Sequence, residues 1–210
     1  FGFPNQKTMN ISKRLGLYEK TDDFIEILYP VSQTSGEQER HQAMIVDYDP
    51  LDAASREELD SLWALMKDDY RGGIIGVRDA EYIQHRYMNH PFSKSKQYRC
   101  VIICAQSSKK ALAFAVVKEH DGSQLLMDLI CPVAVMKSAI TMLKQELGTG
   151  EGGSVLRLWV TSSGKDKVFT AGAIVNELGI EIPCNSWNPG PKAAVLYGAW
   201  WLTAGDMDFI

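Results

Sequence analysis

The sequence lacks three features, each of which would indicate a particular class of protein. It has no excess of basic residues, since the formal net charge is −4, so no global electrostatic attraction to nucleic acid or an anionic membrane is expected. It has no apolar run of the roughly 18 to 20 residues that a membrane-spanning helix requires. Its first residues lack the pattern of a secretory signal. We therefore expect no nucleic-acid partner, no membrane partner and, by default, a cytoplasmic protein.

Cysteine is also scarce. The four cysteines are Cys100, Cys104, Cys131 and Cys184, and none of them forms a C-x-x-C pair. This spacing does not match the usual zinc motifs. A chain of 210 residues can form a core large enough to fold without disulfides, unlike a small secreted protein. Three of the four lie inside apolar runs, so we predict reduced thiols in the core and no bound metal.

What is present is the composition of an ordinary globular protein, with 45% hydrophobic and 23% charged residues. Residues 32–40, "SQTSGEQER", contain no apolar residue and are typical of a solvated linker. We therefore divide the chain into residues 1–40 and a domain of residues 41–210.

The pattern of residues 43–203 predicts the element order β, α, α, β, β, β, α, β, α, β. Ser55 and Glu58 form a capping box at the start of the first helix, and Asp79 can cap the second. Three strands then form a meander, with Asp121-Gly122 as one hairpin turn. An apolar stripe at helical spacing predicts the third helix: Val133, Met136, Ile140, Leu143 and Leu147. We predict a fourth helix over residues 166–178 and a closing strand over residues 193–203.

A meander followed by a strand-helix-strand crossover gives a mixed, mostly antiparallel α/β sheet with helices on both faces. This order resembles the GNAT superfamily of acyl-CoA-dependent acyltransferases. Two strings add to the resemblance: "YIQHRYMNHP" at residues 82–91 is similar to a helix end of GNAT-like proteins, and "LLMDLI" at residues 125–130 is similar to their fourth strand. Both strings are short, so the resemblance rests mainly on element order.

Residues 1–31 also resemble part of a GNAT domain. "GFPN" followed by "KRLGLYEK" is similar to the last helix of such a domain and the strand after it, with Asn5 starting the helix. On this interpretation residues 1–40 are the tail of a preceding GNAT-like domain plus a linker. The alternative is an N-terminal extension that adds a strand to the sheet of residues 43–203.

The resemblance implies a cofactor site at the start of the helix after the fourth strand. There, a glycine-rich loop and the helix N-terminus usually hold the pyrophosphate of coenzyme A. Here the position reads "CPVAVMKS", with no glycine and no arginine, and Pro132 has no N–H to donate. If acetyl-CoA or another acyl-CoA binds, the resemblance assigns it to five residues: Cys131, Val133, Ala134, Met136 and Lys137.

The resemblance also implies a general acid, often a tyrosine of the fourth helix, but Val175 takes that position. A base on the fourth strand is Asp128, because burial among apolar residues would raise the pKa of a carboxyl group. The alternative is a structural carboxylate, hydrogen-bonded to a neighbouring strand or to Arg86. We assign Asp128 and Tyr197 to catalysis and Arg86 and Trp200 to substrate contact.

Other interpretations of these candidates remain open. Large aromatic residues in the last strand, Tyr197 and Trp200 among them, can instead pack in the core. Ser162-Ser163-Gly164 could donate hydrogen bonds to a ligand or simply begin a helix. Asp206 and Asp208 are too few to hold a metal ion.

Two functions follow, with a third less favoured. The first is an acetyl-CoA-dependent N-acyltransferase acting on a small amine, in which this chain is the C-terminal half of a tandem GNAT-like pair, with an upstream GNAT-like domain or a second copy as partner. The second is a non-catalytic binding or regulatory module that has lost the cofactor loop. The third is an aminoacyl-transfer relative, which would bind tRNA and is not favoured by the acidic charge balance.

Overall fold

A computed structural model of the protein describes residues 3–30, 43–89, 98–147 and 155–207. Its strands form a seven-stranded sheet and a small two-stranded one. The strands are β1 (Tyr18–Pro30), β2 (Ala43–Asp47), β3 (Ile74–Ile75), β4 (Arg99–Ala105), β5 (Ala111–His120), β6 (Ser123–Ile130), β7 (Val155–Thr161), β8 (Ile174–Asn185) and β9 (Trp200–Trp201). Five predicted strands are therefore present as β2 and β4–β7.

Six helices pack with these strands in the described part of the chain. They are α1 (Gln6–Arg14), α2 (Ala53–Asp69), α3 (Ala80–Ile83), which continues as a π-helical turn (Gln84–Met88), α4 (Met136–Leu147), α5 (Lys165–Val168) and α6 (Ala193–Leu196). Asn5 caps α1 by accepting a hydrogen bond from Thr8 N at 2.9 Å, and Asp79 caps α3 through Tyr82 N at 2.8 Å. Both predicted caps are confirmed.

The large sheet has the order β2-β4-β5-β6-β7-β1-β8. All neighbouring pairs are antiparallel except β6 and β7, which are parallel and joined through α4. The predicted mixed, mostly antiparallel sheet with one strand-helix-strand crossover is confirmed. Strand β1 lies between β7 and β8 and pairs with both.

This placement makes residues 18–30 a strand of the same sheet as β2 and β4–β8. This position is the one that the second interpretation of residues 1–31 predicts, in which an N-terminal extension adds a strand to the sheet of residues 43–203. Whether residues 1–40 also represent the tail of a preceding domain stays a prediction, and residues 31–42, which contain the whole proposed linker, lie outside the described residues.

Two predicted elements are wrong. The region predicted as a helix over residues 166–178 contains only the one-turn α5 and then strand β8. Gly172 at φ 79° and Gly179 at φ 67° have left-handed backbone conformations that interrupt a helix, and Ile174 and Val175 are β-branched residues that favour a strand. Since Val175 lies on β8, its alignment with a tyrosine of the fourth helix is wrong too.

The predicted closing strand over residues 193–203 is also wrong. Its first part forms the short helix α6, Gly198 turns the chain at φ 67°, and only Trp200 and Trp201 form a strand. That strand, β9, pairs in parallel with β3. At α2 the predicted capping box is replaced by Asp52, whose carboxylate accepts from Ser55 N at 3.1 Å, so the helix begins earlier than expected.

The main core lies between the sheet and the helices. The predicted apolar face of α2 is confirmed, because Leu59, Leu62, Trp63 and Met66 are all buried. In α4, Met136, Ile140 and Leu143 are buried as predicted. The cysteines are confirmed as thiols without disulfide bonds, three of them buried and Cys100 half-buried.

Candidate functional site

The two parallel strands at the centre of the sheet separate part of the way along their length. Their ladder covers only Gln124–Leu126 of β6 and Leu156–Leu158 of β7. Immediately after it, β6 carries a bulge: Leu126 pairs with Val117 of β5 and Asp128 with Val116, so that Met127 is an extra residue. A bulge bends its strand. It therefore directs the second half of β6 away from β7.

The protein's own chain fills the opening between these half-strands. Residues 202–207, which we call the C-terminal segment, follow β9 and form a 3-10 turn. Thr161 N at the end of β7 donates to Leu202 O at 3.2 Å. On the other side, Thr203 Oγ1 donates to Asp128 Oδ1 on β6 at 3.0 Å. The segment thus bridges the two strands where they no longer pair.

A buried ion network holds the C-terminal segment in place. The Arg78 side chain is 0% exposed and lies between two carboxylates. Its Nε is 2.9 Å from Asp128 Oδ1, and its Nη2 is 2.5 Å from Asp206 Oδ2. Nη1 donates to Gly76 O at 2.8 Å. One guanidinium therefore joins β6, the loop before α3 and the C-terminal segment.

The pKa values of this network reflect burial and shared charge. Burial acts to lower the pKa of Arg78, but the charges of Asp206 and Asp128 outweigh it, so the pKa is raised. Burial raises the pKa of Asp206; the charge of Asp128 adds to this effect, and Arg78 opposes it. Two carboxylates share one cation here, and the raised pKa of Asp206 reflects its burial and this excess of negative charge.

Asp128 is surrounded by hydrogen-bond donors. Besides Arg78 and Thr203, it accepts from Tyr87 Oη and, at 3.4 Å, from Tyr82 Oη. Burial, reinforced by the charge of Asp128, raises the pKa of both tyrosines, so they remain protonated donors. A carboxylate accepts through about four lone-pair positions. Since Asp128 has four donors and is 0% exposed, this geometry favours the structural interpretation over the role of a base.

An acidic side chain lies at the expected cofactor position. The stretch after β6 enters α4 through a short 3-10 turn, Val133–Val135. Val133 N donates to Asp69 Oδ2, at the end of α2, at 2.7 Å. Pro132, just before it, has no N–H. A carboxylate of this chain thus takes the backbone donor that an anionic ligand would use.

The five residues assigned to the cofactor do not form one accessible surface. Cys131 and Met136 are fully buried, Val133 is half-buried, and Ala134 and Lys137 are exposed. Burial, with the charge of Asp69, raises the pKa of the Cys131 thiol to about 12, so it stays neutral. The residues present do not fit a coenzyme A pyrophosphate, because the available donor faces a carboxylate and Lys137 is the one cation among them.

The structure does not bring the remaining assigned residues to one site. Arg86 donates from Nε to Gly205 O at 3.1 Å and from Nη2 to Met207 O at 2.6 Å, and so supports the C-terminal segment. Tyr197 is 73% exposed, after α6. Trp200 is half-buried, and its carbonyl accepts from Thr161 Oγ1 at 2.8 Å. Their roles in catalysis and substrate contact remain predictions.

The serines after β7 contact a carboxylate rather than a cavity. Ser162 Oγ donates to Asp22 Oδ1 at 2.6 Å, and Ser163 Oγ to Asp22 Oδ2 at 2.5 Å. Asp22 belongs to β1, so these bonds join the inserted strand to the end of β7. The turn they form leads directly into α5.

Sequence reasoning missed Arg78, Asp69 and the role of Tyr87. Arg78 follows the glycine-rich stretch "GGIIGV", where no periodicity marks a buried position. Asp69 lies at the end of a charged helix face. One signal was available, since a lone aspartate within the apolar strand "LLMDLI" requires a buried donor.

Neither a protein-family model nor a curated protein matches the sequence. Solved structures do match the fold. A conserved protein from Enterococcus faecalis V583, described as a probable N-acyltransferase, superposes with a TM-score of 0.55 at 14% identity, covering 85% of this chain and 43% of that one. A GCN5-related N-acetyltransferase from Anabaena variabilis gives a TM-score of 0.51 at 9% identity, covering 84% and 42%.

These likenesses show that the chain has the fold of the GCN5-related N-acetyltransferases, as the element order predicted. The chain spans about two fifths of the length of either neighbour. Within residues 3–30, 43–89, 98–147 and 155–207, no helix could span a membrane and no group of His, Cys, Asp and Glu could hold a metal ion.

Proposed function

We propose that this chain is a GNAT-fold domain of an N-acyltransferase that does not itself bind the acyl-CoA. In this role it supplies packing and a binding surface, while acyl transfer to an amine takes place at a site outside the described residues. The fold supports the link to acyltransferases, and the two neighbours, each more than twice as long as the aligned region, provide examples of longer chains that contain it.

The contact between Asp69 and Val133 is the observation that supports the absence of acyl-CoA binding in this chain. A helix N-terminus binds a phosphate because its N–H groups and dipole attract negative charge. Here Asp69 Oδ2 occupies that place at 2.7 Å from the nitrogen. A pyrophosphate would have to displace the carboxylate or lie beside a like charge, and both are unfavourable.

The opening between β6 and β7 supports the same conclusion. In an open α/β sheet, ligands bind beyond the carboxyl ends of parallel strands, where the strands separate. The C-terminal segment already occupies this space, and Arg78 holds it through two buried ion pairs. A ligand entering there would have to remove the segment and leave buried charges without partners.

Calorimetric titration of acetyl-CoA and of coenzyme A into this chain tests the proposal. We expect no heat of binding up to millimolar ligand for the wild-type chain. Micromolar binding, about −8 kcal/mol, would contradict the proposal and make this domain the cofactor site. A thermal-shift measurement on the same samples checks that the protein is folded.

A matched pair of variants tests the role assigned to Asp69. Asp69→Ala removes the carboxylate next to Val133, whereas Asp68→Ala removes an equal charge whose partner is the exposed Arg71. Because loss of a helix-capping carboxylate costs about 1 kcal/mol, we expect urea unfolding to show this destabilisation for Asp69→Ala and a smaller change for Asp68→Ala.

A further inference from the structure

A second space in the molecule shares no lining residue with the Asp128 network. It is a cavity of about 440 Å³ between the start of β1, the end of β8 and the chain from α6 to β9. Tyr18 and Trp200 supply aromatic rings to its wall, and Leu196 supplies an aliphatic side chain. Cavities that hold small molecules have volumes of roughly 300 to 1,000 Å³ and mainly apolar walls. This cavity has both properties.

The wall of this cavity carries no charged side chain among the residues the structure describes. Its polar side-chain groups include the carboxamides of Asn185 and Asn188, the thiol of Cys184, the hydroxyl of Tyr18 and the indole N–H of Trp200. Burial, with the nearby charge of Glu19, raises the pKa of the Cys184 thiol, so it is neutral at physiological pH. An ionised ligand would lose hydration here without gaining a partner. The lining therefore selects against charge.

The loop that closes the cavity is held in shape before any ligand enters. Pro189 and Pro191 restrict its backbone, and Pro183 lies near the end of β8, just before it. Ser186 ties it to the turn before β1, because its N–H donates to Leu17 O at 3.0 Å and its hydroxyl donates to Gly16 O at 2.5 Å. A preformed site loses less entropy on binding than a mobile loop does.

The two asparagines provide directional hydrogen bonds. Asn185 Oδ1 accepts from Trp187 N at 3.0 Å and from Asn188 N at 3.3 Å. The loop thus uses the carbonyl of Asn185, which leaves its NH₂ group as a donor. Asn188 adds a second carboxamide that can donate and accept. A ligand carbonyl or amide could pair with these groups without carrying charge.

Three exposed apolar residues are neighbours in sequence of residues that line the cavity. Trp187 is 62% exposed, Val195 70% and Tyr197 73%, and none of them is part of the lining. They therefore offer positions for control substitutions outside the cavity.

We propose that this cavity binds an uncharged small molecule with a flat apolar body and one carbonyl or carboxamide group. The apolar body packs between Tyr18 and Trp200, and the polar group pairs with Asn185 and Asn188. The proposal does not rest on acyl transfer, and it holds whether or not the chain acts with an acyl-CoA site elsewhere.

Three probes of one size but different charge test this assignment: indole-3-acetamide is neutral, indole-3-acetate is an anion and tryptamine is a cation. Each is titrated into the ¹⁵N-labelled full chain while the indole N–H signal of Trp200, identified with Trp200→Phe, is followed by NMR. We expect saturable shifts with the neutral probe and binding about tenfold weaker with either charged probe.

Variants locate the bound probe. Gly190 lines the cavity, and a Cβ there meets no atom within 4 Å, so Gly190→Leu should fold and weaken binding about tenfold. Val195→Ser is the control, because Val195 is exposed and is not among the residues that line the cavity; it should leave binding unchanged. Asn188→Asp, at an exposed position, places a carboxylate in the wall and should favour tryptamine over the neutral probe.

Three results would overturn the proposal. They are equal affinity for all three probes, no shift of the Trp200 signal at any soluble concentration, and binding to Gly190→Leu as tight as to the wild type. A fourth result, a Val195→Ser variant that loses binding as strongly as Gly190→Leu, would also overturn it, because the exposed surface and not the cavity would then be the contact.

Discussion

The opening between β6 and β7 and the cavity beside β8 belong to the same sheet but differ in charge and in accessibility. The first carries the charges of Arg78, Asp128 and Asp206, of which Arg78 and Asp128 are fully buried, and is filled by the chain itself. The second is uncharged in its described lining, bounded by a stiff loop and reached from the surface. In sheets of this kind, ligands commonly bind where two parallel strands separate. Here the chain's own C-terminal segment fills that opening, and the accessible cavity lies beside β8 instead.

The largest expected effect comes from a substitution at the centre of the buried ion network. Asp128→Asn keeps the shape of the side chain but removes one of two anions beside a buried guanidinium. Removing one partner of a buried pair costs about 3–5 kcal/mol, so we expect urea unfolding to show a loss of this size.

A surface pair provides the control for this change. Asp47 and Arg99 are 3.0 Å apart and largely exposed, so Asp47→Asn should cost about 1 kcal/mol or less. If Asp128→Asn were as stable as Asp47→Asn, the network would not hold the C-terminal segment, and Asp128 would again be a candidate base.

An intermediate effect comes from two glycines, one in each region. A Cβ on Gly205 would overlap with Tyr87 Oη and lie 2.9 Å from Asp128 Cγ, whereas a Cβ on Gly190 meets open space. Overpacking costs about 1–3 kcal/mol. We therefore expect Gly205→Ala to lower the thermal midpoint and Gly190→Ala to leave it nearly unchanged; equal midpoints would mean that the segment has room to move.

The smallest effect is a dependence on pH. Because the pKa of Asp206 is raised in the folded state, the folded protein binds this proton more tightly than the unfolded chain does. Its contribution to stability is therefore complete below about pH 4, the unfolded value, and is lost as pH rises through the raised pKa. The slope of the unfolding free energy against pH therefore receives a negative contribution from this group.

Unfolding curves of the wild type and Asp206→Asn, measured from pH 4 upward, isolate this contribution. The difference between the two should fall with rising pH, since only the wild type titrates at this position. A difference that stays constant or grows would reverse the sign assigned to Asp206.

The sequence was sufficient for elements whose pattern is local. The apolar face of α2 and the meander of β4–β6 follow from helical and alternating periods, and Asp121-Gly122 is a turn by its residue types. Strand β8 was misassigned because it forms through pairing with β1, more than a hundred residues earlier in the chain. Such pairing can override local preference.

The site was harder to predict because its bonds join distant segments. Asp128 could be identified as unusual from its apolar neighbours, but its partner Arg78 is 50 residues away in the chain and comes from a loop. Asp206 is 128 residues from Arg78. No spacing in the sequence encodes such contacts, so the ion network and the contact of Asp69 with Val133 became visible only in the folded protein.

The insertion of β1 has a consequence for how the chain is made. Glu26 on β1 bonds to Asn176 on β8, 150 residues apart in the chain, so the strand leaves the ribosome long before its neighbours exist. Ile27 and Tyr29, buried in the finished sheet, acquire their partners on β7, Leu158 and Leu156, only after those residues have been made. Long-range pairing slows folding and prolongs exposure of apolar strand edges. Strand β1 therefore stays exposed to aggregation until β7 and β8, in the last third of this chain, have been made and have paired with it.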